Sequence, residues 1–235
     1  MKYEVMTLFP GMFEGIIEES LIKKAIAKDI IEINLHDFRK FSKNKHNKVD
    51  DYPYGGGKGL VISPEPIIAA YNSLSLLENK KTIFLSPAGK KLTQEKVLEL
   101  SQYDQLILIC GHYEGIDERV IELIVDEEIS IGDYILTGGE IPAMVLIDAV
   151  SRYVDGVVGS KESVLEDSLS NGLLKYPQYT MPRSFEGLEV PEVLLSGHHE
   201  NIAKWRKEKS FERTKNKRPD LWEEYINKGG KTEWT

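Results

Sequence analysis

The stretch Gln105-Leu106-Ile107-Leu108-Ile109-Cys110, followed at once by Gly111-His112-Tyr113-Glu114-Gly115, decides the architecture. Leu106 to Cys110 are all apolar, without the polar alternation of a half-exposed strand. The run is too short to stand as a helix, so it reads as a strand covered on both faces, the pattern of a parallel sheet interior. Working outward, strand-like runs alternate with helical patterns. Tyr3–Phe9, Ile30–Leu35, Thr82–Ser86 and Ile129–Leu136 read as strands, the last broken at Gly132. Met12 to Ile26, Pro64–Leu77, Thr93–Ser101, Ile116–Ile124 and Ile141–Val154 read as helices. Such alternation predicts an α/β domain built on a parallel sheet. We place it at residues 1–158, followed by a linker or active-site loop over 159–170 and a small all-helical domain over 171–235. The last is read from HHENIAKWRKEKSFERTKNKR and from PDLWEEYINK, where proline marks a helix start.

The 235 residues, 41% hydrophobic, suffice for one large domain or two modest ones. The first ten residues lack the basic segment and apolar core of a signal peptide. Runs such as QLILIC and IPAMVLI are too short to span a bilayer. The single cysteine, Cys110, excludes an intramolecular disulfide and a cysteine metal cluster, and reads as a buried small hydrophobe. These features predict a soluble, cytoplasmic protein with no membrane partner. Net charge is −8, yet it is unevenly spread. Arg39–Lys48 carries five Lys/Arg and no acid, and Lys204–Arg218 carries eight against two acids, interleaved with Trp205 and Phe211. Between them, Gly111–Ser170 holds fourteen Asp/Glu against three Lys/Arg. Screening makes the field local, so basic segments on an acidic protein can be solvated faces or phosphate-binding surfaces.

Glycines gather where three strands end. Ser86-Pro87-Ala88-Gly89 follows one, Gly111–Gly115 the next, and Ile131-Gly132-Asp133-Tyr134-Ile135-Leu136-Thr137-Gly138-Gly139-Glu140 the third. Ligands of α/β sheets bind at strand carboxyl ends, so three such loops predict a shared pocket where main-chain groups can read a flat base. The dinucleotide fingerprint G-x-G-x-x-G is missing. Pro53-Tyr54-Gly55-Gly56-Gly57-Lys58-Gly59 lacks the spacing and hydroxyl of a phosphate loop, leaving a flexible turn or a substrate loop. His198-His199 has no third ligand at helical spacing, so no metal-ligating residue is assigned. Arg152 reads as a helix C-terminal cation and Asp167 as a capping residue; spacing alone gives neither a catalytic role.

Together the stretches LFPGMF, VDDYPYGGGKG, LSPAGKKL, LICGHYEGIDERV, SIGDYILTGGEIPAMVLIDAVSRY, LEDS, GLLKYPQYTMP and VPEVLLSGHH give a resemblance over essentially the whole chain. The sequence resembles the bacterial tRNA (guanine-N1)-methyltransferase family, TrmD, of the SPOUT superfamily. It departs at His112, where arginine is common, and at Lys58, where proline is frequent. The resemblance implies a deep trefoil knot in the carboxyl half of the α/β domain. It also implies a homodimer with its active sites at the subunit interface.

By the same resemblance, bent S-adenosylmethionine is held by Pro87, Gly89, Gly111, Tyr113, Glu114, Ile131, Gly132, Asp133, Tyr134, Ile135, Leu136, Gly138 and Gly139. The backbone at Gly138 and Gly139 is expected to approach that ligand too closely for a Cβ. Asp167 would be the general base for N1 of the guanine just 3′ of the anticodon, and Arg152 would stabilise the charge on O6. Magnesium is implied, with Glu114 the carboxylate near it. His46 and Asp50 would contact tRNA near the anticodon, and Lys204, Arg206, Lys207 and Lys209 its backbone. Two rival readings stand beside this one. A nucleotide-binding phosphotransferase would use the GGGKG loop and bind ATP but not S-adenosylmethionine. A non-catalytic RNA-binding module would need only the basic tail and would bind no methyl donor.

Overall fold

The computed structural model describes residues 1–159, 168–169 and 171–230. The chain divides into two compact units, Met1–Gly159 and Ser160–Thr235. In the first unit, strands β1 (Lys2–Thr7), β2 (Glu32–Asp37), β5 (Lys80–Lys91), β6 (Gln105–Cys110) and β7 (Glu127–Ser130) form one parallel sheet in the order β2-β1-β6-β5-β7. A short antiparallel pair, β3 (Asp50–Asp51) with β4 (Val61–Ile62), stands apart from it.

Every residue of β6 is buried, as a strand covered on both faces requires. Leu106, Leu108 and Cys110 join the core formed with helices α1 (Glu14–Ile17), α2 (Ser20–Ile26), α4 (Gln94–Leu100) and α6 (Glu140–Ser151). Ile107 and Ile109 point the other way, into a core with α3 (Pro64–Asn72) and α5 (Glu118–Ile124). The strand period of two thus sorts one apolar run between two layers.

Four elements differ from the sequence reading. The Met12–Ile26 pattern is broken into a 3-10 turn (Pro10–Phe13) and two short helices, because Ser20 takes a left-handed φ of 56°. Helix α3 stops at Asn72 rather than Leu77, where the Ser73 hydroxyl bonds back to the Ala70 carbonyl at 2.6 Å. Strand β7 stops at Ser130, and residues 131–136 form a loop tied by the Ser130 hydroxyl to the Gly132 backbone. Strand β5 is longer than Thr82–Ser86 and contains an excursion. Leu85 and Lys90 both pair with Ile129, so residues between them loop out and return to the same partner strand.

Gly89 marks the point of return. A Cβ built there would stand 2.4 Å from the backbone of Glu128 and Ile129, atoms that cannot rotate away. Gly89→Ala is therefore expected to cost about 3 kcal/mol of stability, at the upper end for overpacking. Gly15→Ala, with nothing within 4 Å, should be neutral or slightly stabilising. Urea unfolding of both variants checks this pair.

The second unit is not all-helical. Helices α7 (Glu192–Leu195), α8 (His199–Lys217) and α9 (Pro219–Asn227) are preceded by a two-stranded hairpin, β8 (Ser184–Phe185) with β9 (Leu188–Glu189). Its turn, Glu186-Gly187, has both residues at positive φ, the geometry of a tight two-residue hairpin. Leu174 is stapled to α8: its amide donates to the Thr214 hydroxyl at 2.9 Å and its carbonyl accepts from the Ser210 hydroxyl at 2.5 Å. Phe211, Trp222 and Tyr225 pack α8 on α9, with ring centroids 5.6 to 5.9 Å apart.

Candidate active site

The three glycine-bearing loops leave β5, β6 and β7, which are neighbours in the sheet, at the same carboxyl edge. The first and third of these loops, with the strand ends and Pro142, line an open cleft formed by Leu85, Ser86, Pro87, Ile129, Ser130, Ile131, Gly132, Tyr134, Leu136, Gly138 and Pro142. Of the residues expected to hold a cofactor, Pro87, Ile131, Gly132, Tyr134, Leu136 and Gly138 line it. Leu85, Ser86, Ile129, Ser130 and Pro142 also line it but were not picked out as site residues. Their signal was position, at strand ends and in the first turn of α6, rather than residue type.

The other expected residues shape the loops. Gly139 donates its amide to the Gly111 carbonyl at 2.8 Å, and His112 bridges to Gly138, so the third loop is stitched to the second. A Cβ on Gly139 would lie 2.8 Å from Cys110 Cα, and one on Gly138 would lie 2.6 Å from His112 Nδ1. The crowding at these glycines thus comes from the protein itself, not only from an incoming ligand as the sequence reading supposed. Gly111 lies against the Phe84 ring. Asp133 is exposed and paired with Lys91 at 2.6 Å, linking the returning strand to the third loop. Ile135 is exposed, and Tyr113, at a left-handed φ of 60°, is edge-on to His112.

Behind the cleft, Glu140 starts α6 fully buried, and its Oε1 accepts from the Thr7 hydroxyl at 2.8 Å. Burial, with the Glu140 charge added, holds the neighbouring Cys110 thiol well above its ordinary range. Cys110 is thus a packing residue and not a nucleophile. Glu114 points at Gly59, and the β4 backbone bonds to the second loop: Glu114 N to Leu60 O at 3.1 Å, Ile62 N to Gly115 O at 3.0 Å. This places the Tyr52–Gly59 hairpin tip, where Tyr54 is fully exposed, beside the cleft loops. Asp50 lies in β3 of that hairpin, and His46 lies exposed in the turn leading to it. Among the described residues no three His, Cys, Asp or Glu side chains cluster to hold a metal ion.

Arg152 is not at the cleft. Helix α6 is anchored at both ends to β1: Glu140 to Thr7 at the carboxyl edge, and Ser151 to Tyr3 at the amino edge, 2.8 Å in each case. Arg152 caps the far end, about 15 Å along the helix from Pro142 in the cleft wall. Asp167 lies outside the described residues.

The fold defines the class: a parallel α/β protein with helices on both faces of its sheet and a cleft at the strand ends. Residues 1–224 match the family model described as "tRNA (Guanine-1)-methyltransferase TrmD". The chain belongs to that family. It is 56% identical over 230 residues to a tRNA (guanine-N(1)-)-methyltransferase of Ruminiclostridium cellulolyticum, covering 97% of this chain and 99% of the relative. Proteins of the same name from Clostridioides difficile and Staphylococcus aureus are each 51% identical over 225 residues. These matches cover 94% and 96% of this chain, and 97% and 92% of the relatives.

Proposed function

We propose that this chain transfers the methyl group of S-adenosylmethionine to N1 of the guanine immediately 3′ of the anticodon in tRNA. The observation that carries the reading is the strand-end cleft, formed by the segments that identify the family. When bound, the donor supplies an electrophilic methyl on a cationic sulfonium. The cleft suits it: the apolar walls of Leu85, Ile129, Ile131 and Leu136 accept a flat adenosine, in the acid-rich part of the chain. The excursion of β5 between Leu85 and Lys90 supports reading the carboxyl half of this unit as the family's trefoil knot.

N1 of guanine carries a proton at neutral pH, so its lone pair is not available until that proton leaves. Asp167 takes the proton as N1 bonds to the methyl carbon, and the carbon–sulfur bond breaks with its electron pair going to sulfur. Arg152 stabilises the negative charge that collects on O6. Arg152 lies at the opposite sheet edge from the cleft of its own chain, which supports a homodimer in which it serves the partner's cleft. The exposed Ile141 and Val145 give α6 an apolar outer stripe near the cleft, suited to such an interface. His46 and Asp50 approach the RNA from the hairpin beside the cleft, and the basic face of α8 holds its backbone. Together with the tRNA substrate, this reading makes the chain an enzyme of the cytoplasm.

Incubating the protein with labelled donor and a tRNA transcript carrying that guanine, then digesting to nucleosides, tests it. 1-Methylguanosine is the expected product, lost when the guanine is replaced. Methyl transfer elsewhere, or none, would refute the assignment.

A further inference from the structure

Helix α8 carries two aromatic clusters with different surroundings. Phe211, Trp222 and Tyr225 form the packing between α8 and α9. Trp205 instead meets Tyr176 and Tyr179, with centroids 6.5 and 6.3 Å away. This second cluster is open: Tyr179 is 49% exposed and lies in a run, residues 178–189, in which every residue is exposed. Cations surround it. The Arg206 guanidinium lies 4.8 Å over the Tyr176 ring, Lys204 is exposed beside Trp205, and Lys209 follows one helical turn on. A flat ring left in water, backed by a second ring and flanked by positive charge, is the arrangement that receives an unstacked nucleobase and its phosphates.

We propose that Tyr179, supported from behind by Trp205, stacks on an unpaired base of the tRNA while Lys204 and Arg206 take the flanking phosphates. This rests on the tRNA reading above and adds a contact that is not ionic. The distinction is measurable. Phosphate contacts release counterions and set the salt slope of binding, whereas stacking adds affinity that salt does not remove.

The test is tRNA binding by the full-length protein across a salt series, with thermal unfolding of each variant. Tyr179→Ala is expected to weaken binding about tenfold at every salt concentration, leaving the slope unchanged. Tyr179→Phe, which keeps the ring, should bind as wild type. Tyr179→Leu, which still covers Trp205 but has no π face, should lose as much as Ala. Lys204→Ala should lower the slope by about one. Wild-type affinity in Tyr179→Ala, or rescue by Leu, would overturn stacking even while the wild-type protein makes 1-methylguanosine. Loss in Tyr179→Phe would assign the contact to the hydroxyl and overturn it equally. Absence of methylation by the wild type would count instead against the parent reading.

Discussion

Single-turnover methyl transfer by the Asp167→Asn protein is expected to fall by about a thousandfold, within the range that a general base contributes. Asparagine is nearly isosteric with aspartate, so the segment keeps its size and its hydrogen-bonding acceptor. What disappears is the capacity to take the N1 proton. Without that, the lone pair on N1 stays committed to its N–H bond, and the methyl carbon has no nucleophile before it. S-adenosylmethionine affinity, measured by calorimetry, should stay largely intact, because the substitution is nearly isosteric and the described cleft walls come from 85–142. Alkaline pH should restore part of the rate, since solvent then removes the N1 proton unaided. A variant that keeps most of its single-turnover rate at neutral pH would dismiss Asp167 as the base.

Much of the fold was legible because its central strand is unambiguous. The unbroken run Leu106–Cys110 demanded cover on both faces, and the structure supplies it from two cores. The three loops were legible as glycine clusters at strand ends, and they do meet. What the sequence hid was where strands stop. Ile131, Tyr134, Ile135 and Leu136 have strand propensity, but the Ser130 hydroxyl bonds to the Gly132 amide and carbonyl and turns the chain out of the sheet. The excursion of β5 was hidden because both flanks, Leu85 and Lys90, pair with one residue, a relation no periodicity records. The crowding of Gly139 by Cys110 was hidden, since only the fold brings the two together. Arg152 was inconspicuous for a similar reason: its helix position is ordinary, and its distance from the cleft appears only when both ends of α6 are seen fixed to β1.

That distance gives the second large effect. Arg152→Ala is expected to reduce single-turnover methyl transfer by about a hundredfold or more, as removal of a group aimed at a developing oxyanion does. S-adenosylmethionine binding to the same variant should be unaltered, because the cleft is built at the other edge of the sheet. A companion variant, Leu136→Trp, fills the cleft wall and should abolish donor binding while leaving Arg152 and Asp167 intact. Each variant alone should be nearly inactive.

Mixing the two, after unfolding and refolding together so that subunits exchange, tests most directly whether guanine methylation takes place in a site divided between two copies. In a mixed dimer, the intact cleft of the Arg152→Ala subunit faces the intact Arg152 of the Leu136→Trp subunit. One complete site is regenerated per mixed dimer, so 1-methylguanosine formation should return to roughly a quarter of the wild-type rate, since random pairing makes half the dimers mixed. A mixture as inactive as its two components would contradict the account, because it would mean that Arg152 and the cleft act within one chain.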